Sequence, residues 1–220
     1  MIKENIENIL KDVPSGVKIV AAVKERSVDE IREAISSGIK IIGENYINEA
    51  RSKFEVIGKE VKWHFIGHLQ KNKAKYAAKI FNVVETLDSL ELAEVLDREC
   101  CKINKIMPVF LEINSASEPQ KQGILIEEAE GFLDKILRFK YLKPNGLMTM
   151  GPFSDNPEDL RPFFKKTKNL FDKIKLYYGN ILEWEYLSMG MSFSYQTAIE
   201  EGANIVRIGT AVFGPRNQKI

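Results

Sequence analysis

Between residues 17 and 214, short runs of aliphatic and β-branched residues alternate with longer stretches whose apolar positions return every three or four residues. The runs are VKIVAAV (17–23), IKIIG (39–43), VKWHFIG (61–67), IFNVVETL (80–87), IMPVFLEIN (106–114), YLKPNGLM (141–148), EWEYLSM (183–189) and NIVRIG (204–209), eight in all. A run such as IVAAV is apolar on both alternating faces, the pattern of a parallel strand covered by helices on two sides. The stretches between carry helix signals. Ser27 with Glu30 forms a capping box ahead of DEIREAISSG, and Gly38 stops that helix. Asp88 is placed to cap SLELAEVLDREC, and Asn156 with Pro157, Glu158 and Asp159 starts a helix running toward Tyr178. The pairs Phe163 with Phe164 and Tyr177 with Tyr178 are expected to pack that helix onto the sheet. At the N-terminus, MIKENIENILKDV reads as a short amphipathic helix. The alternation predicts an α/β fold, a (β/α)8 TIM-type barrel with an extra N-terminal helix, in one domain over residues 1–220. A doubly wound open sheet is the alternative.

Charge narrows the function classes. Among 220 residues, 32 Lys and Arg stand against 31 Asp and Glu, so the net charge is +1 and gives no general case for a nucleic-acid or anionic-membrane binder. The two cysteines, Cys100 and Cys101, are sequence neighbours poorly placed to bridge each other, which favours a reducing compartment. No stretch approaches the ~20 apolar residues of a membrane helix, and the N-terminus lacks the apolar core of a signal peptide. A cytoplasmic location is expected. His64 and His68 lie four apart, but Gly67 stands between them in a strand-like run, so no metal site is expected. Lys71, Lys73, Lys75 and Lys79 read as a solvated helix face, with a docking patch for partner enzymes as the alternative.

In a barrel, chemistry belongs at the carboxyl ends of the strands, and phosphate sites favour the loops after strands seven and eight. Lys24 directly follows IVAAV at the mouth of the first strand. Its position alone is equally that of a snorkelling surface lysine. Ser188, Gly190 and Ser192 fall in the expected turn after strand seven, and Gly209 with Thr210 repeats the small-residue, hydroxyl-bearing pattern after strand eight. Each loop alone is explained by tight turns and helix caps; side by side they make a cradle for one phosphate. Strand eight neighbours strand one in a closed barrel, so an imine-forming amine would stand beside an anion site. That calls for a phosphorylated carbonyl compound, either a sugar phosphate or pyridoxal 5′-phosphate. Alternation along NIVRIG sets Arg207 on the face of Gly209, where it could donate to a pyridine nitrogen, although a surface salt bridge is the default for a single arginine.

These residues sit in longer motifs: AAVK (21–24), IGENYINEA (42–50), WHFIGHLQKNK (63–73), ETLDS (85–89), INSASEPQKQG (113–123), GLMTM (146–150), LSMGMS and VRIGTAVFG. In that order and over nearly the whole chain they resemble the pyridoxal-phosphate homeostasis proteins, single-domain relatives of the alanine racemase barrel. The resemblance implies that Lys24 holds pyridoxal 5′-phosphate as a reversible Schiff base, that Ser188, Ser192, Gly209 and Thr210 hold its phosphate, and that Arg207 faces the pyridine nitrogen. Asn45, His64 and Met148 would line the pocket. The chain departs from the family at Val23, where relatives carry Ser or Thr, near Glu25, and at Ser194 and Gln196, where they carry acids.

An arginine keeps its proton, so the ring nitrogen would stay unprotonated and serve as a poorer electron sink. Racemases of this arrangement add a tyrosine from a further β domain, whereas this sequence runs only to Ile220. The expected function is a carrier or buffer of pyridoxal 5′-phosphate in vitamin B6 homeostasis, with little or no turnover and with apo-enzymes as clients, as a monomer. One alternative is a slow amino-acid racemase with Tyr46 or His64 as base, and another is a lysine-dependent aldolase.

Overall fold

The computed structural model describes residues 1–215. Eight strands follow one another around a closed parallel ring: β1 (Lys18–Ala22), β2 (Ile41–Glu44), β3 (Lys62–Phe65), β4 (Val83–Leu87), β5 (Met107–Ile113), β6 (Leu142–Thr149), β7 (Tyr186–Met191) and β8 (Ile205–Ile208). β8 returns to β1 with Lys18 opposite Ile205 and Val20 opposite Arg207, which closes the barrel. Around it run α1 (Ile2–Asp12), α2 (Val28–Ser36), α3 (Ile47–Ile57), α4 (Ala74–Ile80), α5 (Leu90–Lys102), α6 (Ala129–Ile136), α7 (Arg161–Tyr178), α8 (Tyr195–Glu200) and the short α9 (Thr210–Phe213). This is the (β/α)8 barrel with an added N-terminal helix that the alternating pattern predicts.

Strand alternation divides the core into two apolar clusters. Val20, Ile41, Ile66, Phe110, Met148 and Ile205 fill the lumen. Their out-of-phase neighbours, such as Ala21, Ile42, Phe65, Leu111, Leu147 and Val206, pack with the helices in the surrounding shell. α1 buries Ile2, Ile6 and Ile9 along one stripe, and Asn5 donates from Nδ2 to the Val212 carbonyl at 3.0 Å. The sequence that reads as a detached helix is thereby sewn to α9.

Helix signals hold in most places. The Glu30 amide donates to Ser27 Oγ at 3.2 Å while Glu30 Oε2 accepts the Ser27 amide at 2.8 Å, completing the capping box. Asn156 accepts the Glu158 amide at 3.2 Å, but the chain first makes a 3-10 turn, Pro157–Leu160, before α7. Asp88 does not cap α5. Ser89 takes the N-cap position without a side-chain bond, and Asp88 turns toward the barrel mouth with His68 Nδ1 at 4.0 Å. The aromatic pairs of α7 also split. Adjacent helical residues diverge by about 100°, so Phe164 is fully buried while Tyr177 stands exposed. Cys100 is buried and Cys101 exposed. Among the described residues no helix is long and apolar enough to cross a membrane.

β7 carries an irregularity that shapes the mouth. Its register against β8 shifts between Ser188 and Met191, and Gly190 sits there at φ +88°. A Cβ on Gly190 would lie 2.5 Å from the Ala198 Cβ, so both backbone and space demand glycine. Gly190→Ala is expected to lower unfolding stability by about 1–3 kcal/mol, measured by urea denaturation; an unchanged midpoint would contradict the account.

Candidate functional site

At the carboxyl ends of β1, β7 and β8 the mouth holds a cavity of about 230 Å³. Lys24 reaches it from the turn after β1, Ser192 from the turn after β7, and Gly209 and Thr210 from the end of β8. Arg207 forms part of its wall, as do Asn45 after β2 and the half-exposed Met150 beyond β6. Arg26 is the third cation beside Lys24 and Arg207, and no carboxylate is among the lining residues. A concave surface with cations of one sign and low-dielectric walls selects for an anion.

The turn after β7 and the end of β8 are joined through one hydroxyl. Ser192 Oγ accepts the Gly209 amide at 3.0 Å and the Ala211 amide at 3.2 Å. Among the described residues that hydroxyl donates to no protein acceptor, and Ser192 lines the cavity. Ser188 does not belong to this group. β7 stays extended through Met191, so Ser188 lies inside the strand rather than in a turn, fully buried. Its Oγ donates to Glu85 Oε2 at 2.6 Å and accepts from Arg207 Nη1 at 2.7 Å.

Beneath the cavity lies a polar layer. Arg207 Nη2 donates to the Thr149 carbonyl at 2.8 Å, and Glu85 Oε1 lies 2.6 Å from His64 Nδ1. Burial lowers the Arg207 pKa from its ordinary value, with Glu85 and Glu112 acting in the opposite direction. Glu112 is pushed up to about 7, first by burial and then by Asp88, against the pull of Arg207. Sequence reading passed over Glu85 and Glu112, although each is an acid within an apolar strand run, and Glu112 shares the inward face of Phe110 two residues earlier. It also passed over Arg26, whose guanidinium reaches the carbonyls of Phe213 and Gly214 across nearly the whole chain.

His64 and Met148 are corrected along with Ser188: neither lines the cavity. Met148 fills the apolar lumen, and His64 is held by Glu85 with its ring edge-on to Phe110. Both sit one layer too deep, and Met150, next on the same strand face as Met148, takes the expected place. Of the departures from the family pattern, Glu25 directly follows Lys24, with its amide on Glu49, and none of the four is among the residues that line the cavity. Val23 is buried among the shell residues, Ser194 Oγ accepts the Met191 amide at 3.2 Å, and Gln196 is exposed on α8. His68 is exposed beside Asp88, whereas His64 is buried against Glu85.

A closed parallel barrel whose mouth sets Lys24 and Arg26, past the first strand, beside Arg207 of the last belongs to the class of the alanine racemase barrels. The family model described as alanine racemase, N-terminal domain, matches residues 1–217. The chain belongs to that family and, within it, to the pyridoxal phosphate homeostasis proteins. The pyridoxal phosphate homeostasis protein of Aquifex aeolicus is 39% identical over 200 residues, covering 90% of this chain and 87% of the relative. PipY of Synechococcus elongatus, solved without PLP, superimposes with a TM-score of 0.91 at 28% identity, covering 97% of this chain and all of PipY; the form with PLP bound gives 0.89 at 27%. Alanine racemase of Clostridium difficile shares the fold, with a TM-score of 0.81 at 16% identity, 99% of this chain covering 60% of that one.

Glu112 generates a pH signature. Its proton is held to about 7 in the folded chain against an ordinary 4.5, so over that window the folded state binds more proton than the unfolded state. Stability from this group is therefore present at low pH and declines as pH rises toward 7. Glu112→Gln is expected to flatten the fall in thermal midpoint between about pH 5 and about pH 8, a difference of up to about 3 kcal/mol. Parallel curves for the two proteins would show that Glu112 titrates normally.

Proposed function

We propose that the cavity takes pyridoxal 5′-phosphate and that the protein is a carrier or buffer of this vitamer, with little turnover of its own. The observation that carries the reading is the convergence of an amine, a hydroxyl loop and a guanidinium on one cavity whose lining has no acid. The residues present fit the group. Ser192 already draws two backbone N–H groups to one point and keeps a hydroxyl hydrogen for an anionic oxygen; Gly209 and Thr210 complete the phosphate end. PipY, solved with PLP bound, is the relative whose structure agrees with this ligand.

When bound, the cofactor supplies an electrophilic aldehyde carbon. Lys24 would supply the amine that holds this carbon reversibly, releasing one water on binding and taking one up on release, so that an apo-enzyme could receive the freed aldehyde. Arg207, fixed by Ser188 and the Thr149 carbonyl, presents N–H groups to the pyridine nitrogen without giving up a proton. The placement of the two residues considered as stand-in bases supports low turnover. His64 is committed to Glu85 below the cavity, and Tyr46 lies outside its lining on the exposed rim.

Two measurements test this. Purified protein mixed with pyridoxal 5′-phosphate should gain an imine absorbance that borohydride fixes on Lys24 in a peptide map, and Lys24→Ala should lose both; label on another lysine, or sustained amino-acid racemisation abolished by Lys24→Ala, would overturn the reading. Ser192→Ala should weaken binding about tenfold, the ~1.4 kcal/mol of a hydrogen bond to a charged group, in an equilibrium titration of the same absorbance.

A further inference from the structure

The two peptides flanking Lys24 are held by one partly buried ion network centred on α3. The Val23 carbonyl, on one side, accepts Lys53 Nζ at 2.7 Å. The Glu25 amide, on the other, donates to Glu49 Oε2 at 2.8 Å. Lys53 and Glu49 stand one turn apart and pair at 2.9 Å, and Lys53 also binds Glu44, the last residue of β2. Glu44 is wholly buried and the Lys53 side chain nearly so. The Val23 amide is tied as well, to the Gly43 carbonyl at 2.9 Å.

Two features need explaining. Burying an ion group is costly, and apolar residues of similar size commonly serve packing as well or better. Glu25 adopts φ +61°, a left-handed conformation that a non-glycine residue holds only where its surroundings fix it. Docking α3 onto the barrel needs neither, because Ile47, Ala50 and Ile57 already provide that helix with an apolar face. What the network does that apolar packing could not is bind backbone polar atoms on both sides of a single residue.

We propose that Lys53 and Glu49, anchored by Glu44, are positioning residues that fix the backbone on either side of Lys24 and so aim its amine into the cavity. The inference rests on the proposed function, since it concerns how the Schiff-base lysine is presented. A lysine side chain has four rotatable carbons, so a fixed base shortens the search its nitrogen makes for the aldehyde carbon. The proposed phosphate and pyridine contacts, Ser192, Arg207, Gly209 and Thr210, come from the β7 and β8 side, whereas the network lies on α3 and β2 and reaches the cavity wall at the Asn45 amide, which donates to Glu44 Oε2 at 3.1 Å.

That separation supplies the test. Pyridoxine 5′-phosphate has the same ring and phosphate with an alcohol in place of the aldehyde, so it reports binding without the amine. Glu49→Ala removes the acceptor for the Glu25 amide, whereas Glu49→Gln keeps an oxygen there. Glu49→Ala is expected to weaken imine formation about tenfold and spread borohydride label from Lys24 to other lysines, with affinity for pyridoxine 5′-phosphate unchanged. Glu49→Gln should stay within about threefold of the starting protein. Lys53→Met should act like Glu49→Ala, with partial rescue by Lys53→Arg; if Lys53→Met fails to fold, the partly exposed Glu49 pair decides alone. Equal loss of both ligands, or no change in imine yield and label map for Glu49→Ala, would overturn the proposal. Unmodified protein that carries no label on Lys24 would instead sink the functional reading, and the reason for the clamp with it.

Discussion

Arg207 carries a charge it cannot give up, in a place almost closed to water, and the polar layer of the barrel is organised around that constraint. A guanidinium removed from solvent needs hydrogen-bond acceptors and countercharge or it destabilises the fold by several kcal/mol. Ser188 and the Thr149 carbonyl accept from it, and Glu85 lies behind Ser188 as countercharge with His64 on its far oxygen. Thr149 is fixed in turn, its Oγ1 donating to the Ile113 carbonyl at 2.8 Å and meeting Ser115 Oγ at 3.0 Å. Each member is positioned by another, so the guanidinium is rigid before any ligand arrives.

The layering makes the mouth usable. An apolar plug seals the lumen from below, the polar layer rests on it, and the cationic cavity opens above. Electrostatic attraction is strongest where water is excluded on one side, and the wall contributed by β8 meets that condition while the rim of Met150, Met191 and Phe193 stays exposed. One end of the cavity is thus rigid and almost closed to water, and the other is open to it.

Much of this was readable from the chain. Eight apolar runs, the Ser27 and Asn156 caps and the alternation in NIVRIG follow from local geometry, and they located Lys24, Ser192, Arg207, Gly209 and Thr210 at the mouth. The errors share a cause. Ser188, His64 and Met148 face inward as parity requires, but their depth along the barrel depends on strand tilt and on the shift within β7, and neither is written in a single strand. Glu85 and Glu112 were hidden because an acid in an apolar run gains meaning only from an arginine three or four strands away. Arg26 was hidden because its partners are separated from it by most of the sequence. The Phe163 and Tyr177 pairings failed on helical geometry that could have been applied beforehand.

Pairing of the first strand with the last has a consequence for how the molecule comes into being. Lys24 is made long before Arg207 and Gly209, and the parallel ladder that brings β1 and β8 together joins segments far apart in the sequence. Such distant contacts are slow to form because loop closure precedes any reward. A nascent chain with seven strands therefore has Lys24 without Arg207, Gly209 and Thr210, so the cavity takes shape only when β8 has closed the ring.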